Sequence, residues 1–446
     1  MNALMSRPCD SHFQIAMFSG AFARMILPGL FLLTGPSGCL IPHVRPPASV
    51  TGDHAFITYQ PAEKNDKKLR LAVKDSIDMK GEKTTVGSEF LAVFGKPATD
   101  DAKCLATARK RGDVEFVGKT NLSELAVATS GVNAYFGTPR NPLRHSLIPG
   151  GSSSGSAVAV ANGEADVALG TDSAGSIRVP AACCGIVGLK TTYGLIPLDG
   201  VYPIAPTQLD TVGPMARNVA DTVQGMDLLQ PGFAAQYRQA VANKPLARGI
   251  RIGRLYIDGT DPKVDRAVDD ALTKTGFKVE RLSSKFTENW MQAQADAATV
   301  AAVGAWLHDQ QVLIEPQVSF RTKTIVALGG VEYTSTYGPA LGRKSAWKAA
   351  IDKEFEKVDF IALPTMQKLP PHVPLFNSGT VAFEASTLAS QNTQAVNFAG
   401  VPALAIPVPI PRASIPVTSL QLIGPSRSEA PLLNAARLIE DAVKSR

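Results

Sequence analysis

The chain has 446 residues, 45% of them hydrophobic and 19% charged, with 37 glycines and 32 prolines. This is the composition of a compact, loop-rich globular protein, and it excludes extended disorder beyond the N-terminus. The net charge of +6 comes from 45 basic against 39 acidic residues, and no run of basic side chains gathers it into a nucleic-acid footprint.

Residues 1–40 read differently from the rest. Arg24 precedes an apolar run over 25–33, and small residues follow up to Gly38 and Cys39, which is the order of an export signal. The run is shorter than the roughly 18 apolar residues that a membrane span needs. Pro36-Ser37-Gly38-Cys39 fits a loose lipoprotein cleavage site with Cys39 as the lipidated residue, although Pro36 stands where such sites usually carry an aliphatic side chain. The expectation is a leader over 1–40, one large domain over 41–446, and an exported, periplasmic protein with a lipid anchor. Asp10 upstream is unusual for a signal unless the true start is Met17 or Met25; the alternative is a mis-assigned start or a disordered leader, with the protein cytoplasmic.

Beyond the leader, strands are expected at 69–73 and 114–117 with a helix at 102–111 between them. Residues 148–180 read as loop, helix (156–162), strand (166–169) and loop. Strand, helix and strand follow at 250–256, 264–275 and 278–282, with Gly276 as the helix stop. A strand at 358–363 ends at Pro364, and a helix over 430–444 closes the chain. This alternation argues for an α/β architecture with a largely covered sheet. The stretch 231–357 carries no chemical motif and reads as the region that shapes a substrate pocket. The five cysteines have neither metal-site spacing nor a disulfide framework, and the adjacent Cys183 and Cys184, following Ala181-Ala182, read as small buried hydrophobes.

Three serine signals compete. Gly151-Ser152-Ser153-Ser154-Gly155 matches a nucleophile elbow centred on Ser153, but the preceding Leu147-Ile148-Pro149-Gly150 offers too little strand, and only His308 and His372 could serve as the base. Ser345-Ala346-Trp347-Lys348 with Lys274-Thr275-Gly276 suggests a penicillin-binding enzyme, but the two motifs stand in the wrong order, so a solvated helix face accounts for them better. The third signal is a pair of Gly/Ser loops: Pro149-Gly150-Gly151-Ser152-Ser153-Ser154-Gly155-Ser156, then Gly170-Thr171-Asp172-Ser173-Ala174-Gly175-Ser176-Ile177-Arg178-Val179-Pro180.

This third pattern resembles the amidase signature family. The resemblance continues through Gly118-Lys119-Thr120-Asn121, Thr138-Pro139-Arg140-Asn141-Pro142, residues 183–190 and 209–216, Gly400-Val401-Pro402-Ala403 and Leu420-Gln421-Leu422-Ile423-Gly424-Pro425, so it spans residue 55 to the C-terminus. It implies a single large α/β domain with a central mixed β-sheet covered by helices on both faces. It also implies Ser176 as the acylating nucleophile, Ser152 as a proton bridge after a cis Gly151–Ser152 bond, and Lys74 as the base. Lysine ordinarily titrates near 10.4, so Lys74 needs burial to act as a base, and the apolar residues 69–73 can supply it. A lysine base predicts activity that rises with pH into the alkaline range.

On the same resemblance, the amides of Ser173, Ala174, Gly175 and Ser176 converge on the oxyanion, with Ala174 standing where many members have glycine. Asp172 and Arg178 brace that loop as a pair, Ser153 and Ser154 hydrogen-bond around the triad, with a purely structural role equally open for Ser154, and Ala126 lines the acyl pocket. Neither metal nor cofactor is implied. The expected reaction is hydrolysis of a small-molecule carboxamide to carboxylate plus ammonia or amine. The alternatives are the amidase subunit of a tRNA-dependent amidotransferase and an inactive binding protein on the same scaffold.

Overall fold

The strand expected at 69–73 forms as Leu69–Lys74, and its alternation divides the sheet into two unlike faces. Leu71 and Val73 join Val167, Leu169, Val187, Leu189 and Val212 in one apolar cluster. Ala72 between them joins Ala168, Ile177, Ala181, Met215 and Ala405 in another. Large side chains thus fill one face and small ones the other. Helices Val219–Leu229, Pro262–Thr275 and Glu429–Lys444 cover the large face with Met226, Val268 and Leu433. The short helices Ser154–Ala161 and Arg178–Cys184 lie on the small face. They approach closely: a Cβ at Gly188 would stand 2.7 Å from the Ala181 Cβ, and one at Gly213 would stand 3.2 Å from Ile177 Cδ1.

This computed structural model describes residues 50–63, 67–244, 247–375 and 379–444. The leader expected at 1–40, with Cys39, lies outside the described residues. Among the described residues the sheet has eleven strands. They are β1 (Phe56–Tyr59), β2 (Leu69–Lys74), β3 (Val114–Thr120), β4 (Val167–Asp172), β5 (Val187–Lys190), β6 (Thr211–Ala216), β7 (Arg251–Arg254), β8 (Lys278–Arg281), β9 (Phe360–Pro364), β10 (Ala403–Pro409) and β11 (Val417–Ile423). Their order is β1-β3-β2-β4-β6-β5-β10-β11-β9-β7-β8. β2 runs parallel to β3 and β4, and β7 parallel to β8 and β9, while the other pairs are antiparallel. The sheet is mixed and helices flank both faces, as expected. No helix among the described residues is long and apolar enough to cross a membrane.

Several elements differ from the sequence reading. β3 and β4 continue through Thr120 and Asp172, past the apolar residues that marked them, because their polar ends are buried and paired instead of solvated. The helix expected at 102–111 breaks into a 3₁₀ turn, Lys103–Leu105, followed by Ala106–Lys110. The stretch 231–357 contributes β7 and β8 to the sheet as well as the helices Ser284–Asp309, Phe320–Ser335 and Tyr337–Phe355. The first and last of these pack on each other and on the helix Gln394–Ala399 around Trp290 and Trp347. The edge strand β8, Lys-Val-Glu-Arg, is exposed throughout, and its charges guard a free edge.

Two glycine replacements test this packing with opposite signs. Gly188→Ala should cost about 1–3 kcal/mol, because the new methyl forces the helix Arg178–Cys184 off the sheet. Gly338→Ala has nothing within 4 Å on an exposed helix and should stabilise by about 0.4–1 kcal/mol. Urea unfolding monitored by circular dichroism measures both.

Candidate active site

Lys74 ends β2 on the same face as Ala72, in the layer of small side chains, and is fully buried. Its Nζ donates to Ser152 Oγ and to Thr171 Oγ1, each at 2.7 Å. Burial pushes its pKa down from 10.5 to about 7, against the upward pull of Asp172 and Asp210. The pull is weak because each carboxylate has other partners. The neighbouring Asp75 pairs with the buried Lys119 at 2.7 Å and accepts from Thr85. Asp172 pairs with Arg178 at 2.9 Å, both side chains being fully buried.

Ser152 follows a cis peptide bond to Gly151 and is buried between two loops. The Gly151 amide donates to the Thr129 carbonyl at 2.7 Å, and the Ser123 amide donates to the Ser152 carbonyl at 3.3 Å. Ala126 closes the turn that begins at Ser123, its φ of 58° following 51° at Leu125. Two successive non-glycine residues in the left-handed region mark a loop held by its surroundings. Ser153 donates its amide to the Ser176 carbonyl at 3.1 Å and its hydroxyl to the Thr171 carbonyl at 3.3 Å. It has no histidine partner among the described residues, and His308 is paired with Asp309 at 2.6 Å, so the elbow has no base. Ser154, for which bonding around the triad and a purely structural role were both open, has a buried hydroxyl with no partner among the described residues and packs its Cβ against the Gly131 loop.

The loop after β4 turns at Gly175, whose φ is 134° and whose Cβ, if present, would strike the Thr393 hydroxyl. Asp172 organises the loop: its carboxylate accepts from the amides of Gly175 at 2.8 Å and Ile177 at 3.1 Å, from Arg178 and from Asn397. Burial alone would raise its pKa, but the Arg178 charge and these donors hold the carboxyl well below its usual range. The expectation that Gly175 offers its amide to an oxyanion is therefore corrected, since that N–H belongs to Asp172. The amides of Ser173, Ala174 and Ser176 have no acceptor among the described residues. Ser176 keeps 9% of its surface exposed. Its hydroxyl makes no hydrogen bond to Ser152 among the described residues, a looseness common before substrate binds.

The structure brings Lys74, Ser152, Ser153, Asp172, Ser173, Ala174, Gly175, Ser176 and Arg178 into one site and ties the Ala126 turn to it. It adds groups that sequence reasoning missed. Thr171 shares the lysine amine, although it stood inside a quoted motif. Arg178 also donates to Gln421 Oε1 at 2.7 Å and to Asn397, from segments more than 200 residues away. Asp210 accepts from the amides of Ile204 and Ala205 and from the Ser173 hydroxyl, and its pKa is raised by burial. Only its place in a recognised motif could have flagged it. Cys183 and Cys184 are buried as expected, and burial pushes the Cys183 thiol up to about 12.

A model of the Amidase family matches residues 68–433. A glutamyl-tRNA(Gln) amidotransferase subunit of Natronomonas pharaonis is 33% identical over 426 residues, covering 86% of this chain and 98% of that protein. The solved structure of the corresponding subunit from Thermotoga maritima superposes with a TM-score of 0.72 at 25% identity, covering 86% and 87%. One from a vestigial protein complex that bears on the origins of an s-triazine catabolic enzyme gives 0.73 at 27%, covering 84% and 83%. These relatives overturn the expected export, because they are named as subunits of a glutamyl-tRNA(Gln) amidotransferase, a tRNA-charging enzyme of the cytoplasm. The chain belongs to the amidase family, the amidase-signature enzymes that act on amide C–N bonds.

Proposed function

We propose that this chain cleaves a carboxamide through an acyl-enzyme on Ser176, with Ser152 and Lys74 relaying the proton. One observation carries the reading: a fully buried lysine, pushed down to about 7, donates to the hydroxyl of Ser152 at 2.7 Å. A neutral amine has two N–H donors and one lone pair, so beside two hydroxyls it can accept a proton from one of them. Ser176 Oγ attacks the carbonyl carbon while its proton passes through Ser152 to Lys74. The amides of Ser173, Ala174 and Ser176 receive the developing oxyanion. The same path returns the proton to the departing nitrogen as the C–N bond breaks. Water then hydrolyses the ester to carboxylate and frees Ser176.

The curated relatives favour one setting for this chemistry, an ammonia-releasing subunit of a tRNA-dependent amidotransferase working with partner subunits. The other setting is a stand-alone amidase. Ammonia or amine release by the purified chain, measured on glutamine and on aliphatic, aryl and peptide amides, separates them. Turnover by the chain alone supports the stand-alone enzyme. Glutamine turnover that appears only with partner subunits supports the amidotransferase, and no turnover in either form overturns the hydrolase reading.

Ser176→Ala should abolish acylation, read as loss of the product burst. Lys74→Ala should lower kcat by about 10²–10⁴, and the double variant Lys74→Ala/Ser152→Ala should lose little more than the worse single. His308→Ala should keep parental turnover, and loss of it in a folded protein would move the base to histidine.

The pH profile follows from Lys74. The amine works uncharged, so kcat/KM should fall as pH drops through about 7 and level off above it, instead of rising into the alkaline range as the sequence suggested. Between about 7 and 10.5 the folded chain releases a proton that the unfolded chain keeps, so the Lys74 contribution to stability increases with pH across that window. Urea midpoints for the parent and Lys74→Met across pH 7–10 should converge as pH rises, with Lys74→Met the more stable at pH 7.

A further inference from the structure

The segment that meets the nucleophile loop from the far side is Gln391-Asn392-Thr393-Gln394. The Thr393 hydroxyl donates to the Ala174 carbonyl at 2.5 Å, and its own carbonyl accepts from Arg178 at 3.0 Å, so the segment touches the oxyanion loop directly. The carboxamides in and around it are tightly used. Asn392 donates to the Pro364 carbonyl and accepts from Gln367. Asn397 donates to Asp172 and accepts from Arg178. Gln421 donates to the Asn392 carbonyl and accepts from Arg178, and Gln294 donates to the Gln391 carbonyl and accepts from the Ala395 amide.

Gln391 and Gln394 break this pattern. They are 1% and 3% exposed, yet both polar atoms of Gln391 and the Oε1 of Gln394 are buried with no partner among the described residues. A buried amide left unpaired costs about 1–3 kcal/mol, so a purely structural role would favour an apolar side chain at both positions. On the hydrolase reading above, we propose that Gln391 and Gln394 are specificity-determining residues that hydrogen-bond a second, uncharged amide-like group of the substrate. The unmet valences define that group. Gln391 offers both a donor and an acceptor, and Gln394 offers an acceptor, so the match is a group with N–H and C=O together, such as a second carboxamide.

The test uses succinamide and 4-methylpentanamide, which share a shape and differ in that second group. Their binding to the full chain carrying Ser176→Ala is measured by titration calorimetry, with and without Gln391→Leu or Gln394→Leu. Where the parent turns them over, the kcat/KM ratio is measured as well. The preference for succinamide should fall about ten- to hundredfold in each leucine variant, with the melting temperature unchanged or raised. An unchanged preference would mean that these amides only hold water, and an equal loss for both ligands would mean that they only support the fold. Either result overturns the proposal, as does a parent that prefers 4-methylpentanamide. Because binding is read on a chain that cannot turn over, these outcomes are separate from a failure of the hydrolase reading, which would appear as a parent with no turnover.

Discussion

A lysine amine in a dry interior stays uncharged only if no nearby carboxylate is free to pair with it. Around Lys74 the protein meets this condition by giving every acid another partner: Asp75 has Lys119, Asp172 has Arg178, and Asp210 has two backbone amides and Ser173. The remaining attraction from Asp172 and Asp210 is too weak to overcome burial, and the amine titrates near 7. The buried ion pairs are therefore weak evidence of stabilisation in their own right, since desolvation offsets most of their attraction. Their consequence is electrostatic: they leave burial free to hold the Lys74 amine at a lowered pKa, which the proposed relay requires.

The same demand explains the unlike faces of the sheet. Ala72, Ala168, Gly188 and Gly213 leave room for two short helices to lie against the strands, which brings the serine loops to the end of β2 where Lys74 emerges. The site is then locked from a distance. Arg178 reaches Thr393, Asn397 and Gln421, so the Asp172–Arg178 loop is held by the C-terminal segment as well as by β4. Contacts of such sequence separation form late, because loop closure comes before any reward.

The sequence carried the chemistry further than the fold. The Gly/Ser loops stood out because so dense a run of glycine and serine is rare outside tight turns, although Ser154-Gly155-Ser156 begins a helix and Gly170-Thr171-Asp172 ends β4, and Lys74 was legible only through the family resemblance, since by itself it reads as a strand-end lysine facing water. The strands at 69–73 and 358–363 were legible because their apolar runs are short and bounded. Strands β1, β5, β6, β10 and β11 went unread: β5, β6 and β10 contain glycine or proline, and buried polar residues such as Lys190, Thr211 and Gln421 hide the apolar run. Thr171, Asn397 and Gln394 could not be singled out either, because a polar residue that is buried by tertiary packing looks like a surface residue in a single chain. Gly175 misled in a different way. Its freedom to adopt φ 134° was legible, but the acceptor of its amide depended on where the Asp172 carboxylate came to lie.

The two settings for this chemistry share every step up to the acyl-enzyme. Breaking the C–N bond requires a nucleophile, a base and an oxyanion site whether ammonia escapes to water or is handed to another subunit, so β2, β4 and the serine loops answer to the same constraints in both. What can differ is the wall that receives the rest of the substrate. Two segments outside this constant frame meet the serine loops, the turn at Ser123–Ala126, whose Ser123 amide donates to the Ser152 carbonyl, and the Gln391–Gln394 segment pinned to Ala174, and on the proposal above they would form that wall. A buried carboxamide there is costly unless something pairs with it, whereas the relay does not depend on which side chains stand at 391 and 394. Substrate choice can therefore change at those positions while the proton path through Ser152 and Lys74 stays as it is.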